Sequence, residues 1–172
     1  MTLSNVIVRP FADDDLAGAA SALVEVHRTD GYPVEGIEDP EAWIKSDAVM
    51  AAWIAESDGR VVGHVAVMKP RGEAAVELWI KQSGDTEDNV GVLARLFVTK
   101  DARKQTAGQR LTDAAMAYAR THGLRLVLDV MAKDAAAIRL YERLGWRQIG
   151  ETLHHFGDSR AIPAMCFVAP TD

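Results

Sequence analysis

The chain has 172 residues and a formal net charge of −6, a length typical of one domain with a sizeable core. Hydrophobic residues make up 48% of it and charged residues 26%, which is ordinary for a globular protein. No apolar run reaches the ~18 residues of a membrane span, no secretory signal begins the chain, and the acidic balance disfavours nucleic-acid binding. Because Cys166 is the only cysteine, no internal disulfide can form, which fits a reducing cytoplasm. We therefore expect a cytoplasmic protein with no membrane partner.

The N-terminal quarter predicts one strand and two helices. Residues 5–9 form a short β-branched run, which is typical of a strand. The three aspartates at 13–15 precede apolar residues at helical spacing, so we interpret them as the cap and first turn of a helix rather than as metal ligands. Residues 29–33, which include Gly31 and Pro33, break this helix, and Pro40 is the first helical position of a second, shorter one.

The next part of the chain predicts a β-hairpin followed by a further strand. Apolar runs at 49–55 and 61–68 flank the dipeptide Asp58-Gly59, which is a strong turn signal. The pattern at 73–81 fits either a strand or a helix. After a polar loop, residues 90–98 have the composition of a buried strand.

A basic loop follows this strand and leads into a helix. Its cations are Lys100, Arg103, Lys104 and Arg110, against the single carboxylate of Asp101. The first N–H groups of a helix have no partner within the helix, and the helix dipole favours an anion there. The loop therefore suggests a phosphate-bearing ligand, although many loops are basic only because they face water.

The remaining elements are a helix, a strand, a second helix and an antiparallel pair of strands. In chain order, their predicted bounds are 107–122, 124–131, 134–144, 146–152 and 162–168. No repeat or linker interrupts the chain, so we expect one α+β domain over residues 1–172. His154, His155 and Asp158 are typical of a solvated turn in the closing hairpin, and we predict no metal site.

Two segments carry a resemblance to a known family. LFVTKDARKQTAG (96–108) and DAAAIRLYERLGW (134–146), in this order of elements, resemble the GNAT superfamily of acyl-CoA N-acyltransferases. The resemblance implies a single-domain GNAT-like fold whose mixed central sheet has six to seven strands, splays between the fourth and fifth, and is flanked by about four helices. It also implies an acetyl-CoA-dependent N-acetyltransferase with acetyl-CoA as co-substrate, an amine as acceptor and, often, a homodimer.

The family's phosphate loop, Arg/Gln-x-x-Gly-x-Gly/Ala, maps onto residues 103–108. Arg103 and Gly108 match it, whereas Thr106 stands where the family has glycine. A threonine there either takes ordinary helical angles or crowds the pyrophosphate, unless its hydroxyl donates to a phosphate oxygen. By resemblance, the cofactor-binding residues are Leu96, Phe97, Val98, Arg103, Lys104, Gln105, Thr106, Ala107, Gly108 and Asp134.

The resemblance also assigns chemical roles near the end of the chain. It makes Tyr141 the general acid that protonates the departing CoA thiolate; the other interpretation is a core tyrosine on an apolar helix face. Asp134 fits either a pantetheine contact or the N-cap of a helix.

The general base is not predicted. Many family members have glutamate where Ala94 stands here, and Ala94 cannot accept a proton. His64, Glu77 and Glu87 are candidates by residue type only, and loss of the proton to water is the alternative. Thr106 and Ala94 also favour a second hypothesis, a non-catalytic acyl-CoA-binding or sensor domain with a degenerate loop.

Overall fold

The computed structural model describes residues 6–33, 36–157 and 159–171, apart from the side chains of residues 104 and 105. Seven strands and five α-helices lie in these ranges, and they form two compact units. One unit holds the residues up to Val67 together with Ala94–Ala115, and the other holds the rest. The predicted α+β class and mixed sheet of six to seven strands are confirmed.

The first unit holds the N-terminal strands and the basic loop. Its hydrogen-bonded strand order is β1-β2-β3-β4, and β1 runs antiparallel to β2 with Ile7 opposite Glu56. The strands and helices wholly or partly in this unit are β1 (Ile7–Pro10), β2 (Val49–Ser57), β3 (Arg60–Met68), β4 (Val90–Val98), α1 (Leu16–Asp30), α2 (Pro40–Ile44) and α4 (Ala107–Thr121).

Local signals account for the element ends in this unit. Asp58 and Gly59 both have positive φ, at 53° and 76°, as the predicted hairpin turn between β2 and β3 requires. Gly31 ends α1 in the left-handed conformation, and Asp39 caps α2 by accepting from the N–H of Ala42. The three aspartates form a 3-10 turn, Asp13–Asp15, ahead of α1.

The core of the first unit is built where helices cover the strands. Leu23 and Val26 of α1 pack with Ile44 of α2 and Phe97 of β4. At Gly63 a Cβ atom would lie 3.1 Å from both Leu111 Cδ1 and the carbonyl oxygen of Phe97. The absence of a side chain at Gly63 therefore lets α4 approach β3 closely.

The second unit begins at the parallel contact of β4 with β5. Its strand order is β4-β5-β7-β6, and the parallel ladder pairs Val90–Val92, the first third of β4, with residues 125–127. β7 is antiparallel to both β5 and β6, so the predicted closing pair is confirmed. Its other elements are α3 (Ala74–Ser83), β5 (Arg125–Met131), α5 (Ala135–Arg143), β6 (Arg147–Phe156), β7 (Arg160–Val168) and the end of α4.

The stretch that fitted either a strand or a helix is a helix, α3, and a distant residue helps to fix it. The side chain of Asp129 in β5 accepts from the N–H of Ala75 in the first turn of α3, at 2.9 Å. The same carboxylate oxygen accepts from the thiol of Cys166 in β7, at 3.4 Å. Cys166 is fully buried, and burial together with the charge of Asp129 raises its pKa to about 12.

None of the helices in the described ranges combines the length and the apolar character that would be needed to span a bilayer.

Candidate active site

The basic loop links β4 to α4 through a short 3-10 turn, Lys100–Gln105, and then Thr106. Thr106 has φ 60° and ψ 19°, which is left-handed, so the alternative of ordinary helical angles is wrong. The conformation is one that glycine adopts freely and a β-branched residue rarely does. The chain therefore keeps a main-chain turn suited to glycine at this position while carrying a threonine.

Arg103 stabilises the start of this loop through two contacts. Its Nε donates to the carbonyl oxygen of Val98 at 3.0 Å, and its terminal nitrogen pairs with the carboxylate of Asp30 at the end of α1. Although burial acts in the opposite direction, the hydrogen bond and charge of Arg103 hold the pKa of Asp30 below its ordinary value. Asp30 therefore stays ionised near neutral pH and fixes the guanidinium.

Asp101 stabilises the first turn of the loop. Its carboxylate accepts from the hydroxyl of Thr99 and from Arg60 in the β2–β3 turn, both at 2.7 Å. These bonds lower the pKa of Asp101. Because both side chains of the Arg60–Asp101 pair are more than half exposed, we assign it a role in loop geometry rather than a large share of stability.

The N-terminus of α4 presents main-chain donors. The N–H of Arg110 bonds to the carbonyl oxygen of Thr106 at 3.0 Å, which begins the helical ladder, so the N–H groups of residues 107–109 precede it. Ala107 is fully buried, whereas Gly108 is partly exposed. The guanidinium of Arg110 donates to the carbonyl oxygen of Val6. This geometry suits an anion bound mainly by main-chain groups.

The end of β4 contains a second left-handed residue. Arg95 has φ 59° and lies directly before the predicted cofactor-binding residues Leu96, Phe97 and Val98, which end the strand. Its carbonyl oxygen lies 2.8 Å from Nδ1 of His64. Its guanidinium donates to the carbonyl oxygen of Trp43 at 3.0 Å and lies 4.1 Å from the centre of the Trp43 ring.

The three candidate bases differ in exposure. His64 on β3 has no exposed surface, and burial lowers its pKa to about 4, so its ring is neutral at pH 7. A fully buried ring of such low basicity is unsuited to taking a proton from an amine. Glu77 on α3 and Glu87, in a 3-10 turn before β4, are exposed, and Ala94 has no titratable group.

The second unit carries Tyr141 and Asp134. Tyr141 on α5 is 5% exposed, and its ring centre lies 5.5 Å from that of Trp146 and 6.3 Å from that of Phe167. Asp134 stands at the N-cap position of α5, but its side chain makes no capping bond and instead lies 3.3 Å from Lys133 Nζ. Asp134 is therefore the N-cap residue of α5 by position, as one of the two interpretations expected, although its side chain does not supply the capping hydrogen bond.

Some of the candidate side chains lie outside the part of the chain that the structure describes. The side chains of Lys104 and Gln105 lie outside the described residues, as does Asp158 of the closing turn. Among the residues that are described, no three metal-ligating side chains come together.

Sequence reasoning missed Asp30, Arg60 and His64 as residues that hold the loop and the strand end. Asp30 and Arg60 are separated from their partners in the loop by 73 and 41 positions. No local pattern marks contacts at such separations. The positive φ of Arg95 likewise has no signal in its residue type.

Comparisons of the sequence with known proteins show which family the chain resembles. The model of the acetyltransferase (GNAT) family matches residues 14–146. A mycothiol acetyltransferase of Acidothermus cellulolyticus is 33% identical over 147 residues, covering 83% of this chain and 44% of the relative. The chain spans about two fifths of the length of the curated relatives it matches.

Solved structures share the fold at low sequence identity. Arabidopsis thaliana NAA60 in complex with acetyl-CoA superposes with a TM-score of 0.72 at 20% identity, covering 95% of this chain and 97% of that one. The structure of yncA of Salmonella typhimurium with its cofactor acetyl-CoA gives a TM-score of 0.73 at 16% identity, covering 98% of this chain and 95% of that one.

Replacing Thr106 by glycine should stabilise the protein. A non-glycine residue in the left-handed region costs ~1–2 kcal/mol, part of which is offset by the greater freedom of glycine in the unfolded chain. We expect Thr106→Gly to raise the free energy of unfolding by about 0.5–1 kcal/mol in urea titrations. Thr112→Gly, inside α4, should lower it by at least about 1 kcal/mol. Destabilisation by both substitutions would contradict the left-handed assignment.

Stability should depend on pH through His64. The pKa of His64 is lowered from 6.5 in the unfolded chain to about 4 in the folded protein, so the unfolded chain binds a proton first as the pH falls. The stability associated with the neutral ring is therefore fully present above pH 6.5 and is lost as the pH falls towards 4. At ~1.4 kcal/mol per pKa unit, the loss approaches about 3 kcal/mol. Urea unfolding of wild type and His64→Asn between pH 7 and 4 measures it. Parallel stability curves for the two proteins would exclude a His64 contribution.

Proposed function

The chain belongs to the acetyltransferase (GNAT) family, and on this premise we propose that it transfers an acetyl group from acetyl-CoA to a primary amine by direct attack. Tyr141 is the general acid towards the CoA thiolate, and the main chain at the end of β4 binds the thioester. The observation that carries this proposal is the loop before α4, where left-handed Thr106 directly precedes the first N–H groups of the helix, an arrangement suited to binding an anion.

The main chain of the loop at residues 103–108 binds the diphosphate of acetyl-CoA. Arg103 is already engaged with Asp30 and with the carbonyl oxygen of Val98, so its first role is to hold the loop in its binding shape. Thr106 is an exposed residue, and it and the helix N-terminus provide polar groups of a kind suited to phosphate oxygens. In this proposal Asp134 contacts the pantetheine arm of acetyl-CoA.

The acceptor must be a free amine when it attacks. An alkylamine with a pKa of ~10 is unprotonated in about one molecule in a thousand at neutral pH. Because His64 is buried and weakly basic, and Ala94 has no base, we propose that the proton of the ammonium passes to water. Attack then forms a carbon–nitrogen bond and places negative charge on the thioester oxygen.

Main-chain N–H groups of residues 96–98 stabilise this oxyanion, because fixed dipoles need no reorganisation as charge develops. Collapse of the tetrahedral intermediate breaks the carbon–sulfur bond. The thiolate takes a proton from the phenol of Tyr141, a transfer that is only slightly uphill between groups with ordinary pKa values of ~10 and ~8.5. The proton that the attacking nitrogen loses as the amide forms passes through water to the phenolate and restores the phenol. The apolar rings of Trp146 and Phe167 hold the Tyr141 ring in place.

The acceptor class, a homodimer and a cytoplasmic location stay predictions. Relatives of this chain carry names as different as mycothiol acetyltransferase and N-acetylaspartate synthetase, so membership of the family does not identify the amine that accepts the acetyl group.

Binding and turnover test the proposal together. Acetyl-CoA at 100 times its dissociation constant should stabilise the folded protein by about 2.7 kcal/mol in a thermal-shift titration. Release of free CoA thiol should then depend on an added amine, measured across a panel of amino acids, sugar amines, polyamines and peptides. Absence of a shift would refute the acetyl-CoA site, and a shift without amine-dependent thiol release would favour the sensor hypothesis.

Tyr141→Phe should lower kcat by tens-fold or more while leaving the acetyl-CoA thermal shift nearly unchanged. The substitution removes the acidic proton and keeps the ring that packs on Trp146. Tyr118→Phe is a matched control, since it removes a phenol hydroxyl from α4 and should retain wild-type kcat. Unchanged turnover in Tyr141→Phe would remove the catalytic role from this residue.

A further inference from the structure

Arg95 is left-handed within β4, although the regular geometry of a strand is extended. A non-glycine residue at φ 59° within a strand costs free energy, and it persists only where the surrounding structure holds it. The main chain directly after it, residues 96–98, is the part to which the proposed function assigns the thioester. The direction of these N–H and carbonyl groups depends on the bend at Arg95.

Two contacts hold this bend. The side chain of Arg95 lies on the ring of Trp43 and donates to its carbonyl oxygen. The main-chain carbonyl of Arg95 lies 2.8 Å from Nδ1 of His64. Because a carbonyl oxygen only accepts, Nδ1 is the protonated nitrogen and donates to it.

The environment of His64 fixes its ring as well. The ring stacks on Phe97 with centres 5.3 Å apart and a tilt of 19°, and the ring of Phe11 meets it edge-on at 6.0 Å. The side chain has no exposed surface. His64 therefore contacts the residues on both sides of Leu96: the carbonyl oxygen of Arg95 before it and the ring of Phe97 after it.

The other ring nitrogen of His64 shows that the residue is poorly matched to a simple packing role. Among the described residues, Nε2 is buried without a hydrogen-bond partner. A buried polar atom left in this way destabilises a protein, and an apolar side chain of similar volume would avoid the cost. The donor at Nδ1 is therefore the property that distinguishes histidine from leucine here.

We propose that His64 is a positioning residue for acetyl transfer: its Nδ1–H holds the carbonyl of Arg95 and so directs the main-chain groups of residues 96–98 towards the thioester. This inference rests on the proposed function, because it assumes that those groups bind the reacting carbonyl. His64 does not touch the substrate and exchanges no proton with it.

A pair of substitutions isolates the donor. His64→Leu removes it and fills the space with apolar atoms, whereas His64→Asn keeps an amide N–H at the same number of bonds from Cα as Nδ1. With acetyl-CoA and an accepted amine, we expect His64→Leu to lower kcat at least ten-fold and His64→Asn to remain within a few-fold of wild type. Wild-type kcat and KM in His64→Leu would overturn the proposal.

A control and a second measurement separate positioning from stability. Val65→Ala opens a cavity at a fully buried neighbour on β3 and should lower the thermal midpoint while retaining kcat in the folded protein. If the activity of His64→Leu, His64→Asn and Val65→Ala instead follows thermal midpoint alone, the role is structural and the proposal fails.

Nuclear magnetic resonance provides a readout that needs no turnover. Side-chain ¹⁵N spectra should show His64 with its proton on Nδ1, and the amide resonances of residues 96–98 should shift in His64→Leu and return in His64→Asn. Unshifted resonances in His64→Leu would overturn the positioning role. An inactive wild-type protein with the expected resonance shifts would instead refute the proposed function and leave the main-chain effect of His64 established.

Discussion

The first unit depends on a main chain that turns left-handed twice within twelve residues, at Arg95 and at Thr106. Neither residue is glycine, so each turn carries a cost that neighbouring groups must offset. At Arg95 these groups are His64 and Trp43. The first turn bends the end of β4, and the second leads the loop into α4. The anion-binding geometry of the loop follows from main-chain direction more than from the identity of its side chains.

Charge in the loop is arranged to preserve that geometry. The sequence shows four cations against one carboxylate, which suggests an unscreened positive patch. In the structure Arg103 pairs with Asp30, and Asp101 pairs with Arg60. Both carboxylates have lowered pKa values and stay ionised near neutral pH, so these pairs persist where an enzyme of this family would work. Part of the loop's charge thus orders the loop itself, which is why the proposed function gives its N–H groups the main part in binding a diphosphate.

Local chemistry explains what the sequence could predict. Asp58-Gly59 forms its turn, Gly31 ends α1, and the composition of residues 90–98 identifies β4, because each depends on neighbours along the chain. Long-range contacts explain what it could not. The stretch at 73–81 has no decisive period, and α3 is fixed from β5 by Asp129, 54 positions away from Ala75. Residue type also does not reveal a left-handed arginine or threonine, or which amine is the acceptor.

The contact between Asp129 and Cys166 has a practical consequence. Thiol reagents such as disulfide dyes and maleimides attack the thiolate, and a buried thiol with a pKa near 12 supplies almost none at neutral pH. Since Cys166 is the only cysteine of the chain, the folded protein should react hardly at all with such reagents. A cysteine placed on the surface would accordingly be labelled alone, so that dyes or spin probes can be attached at a single chosen position.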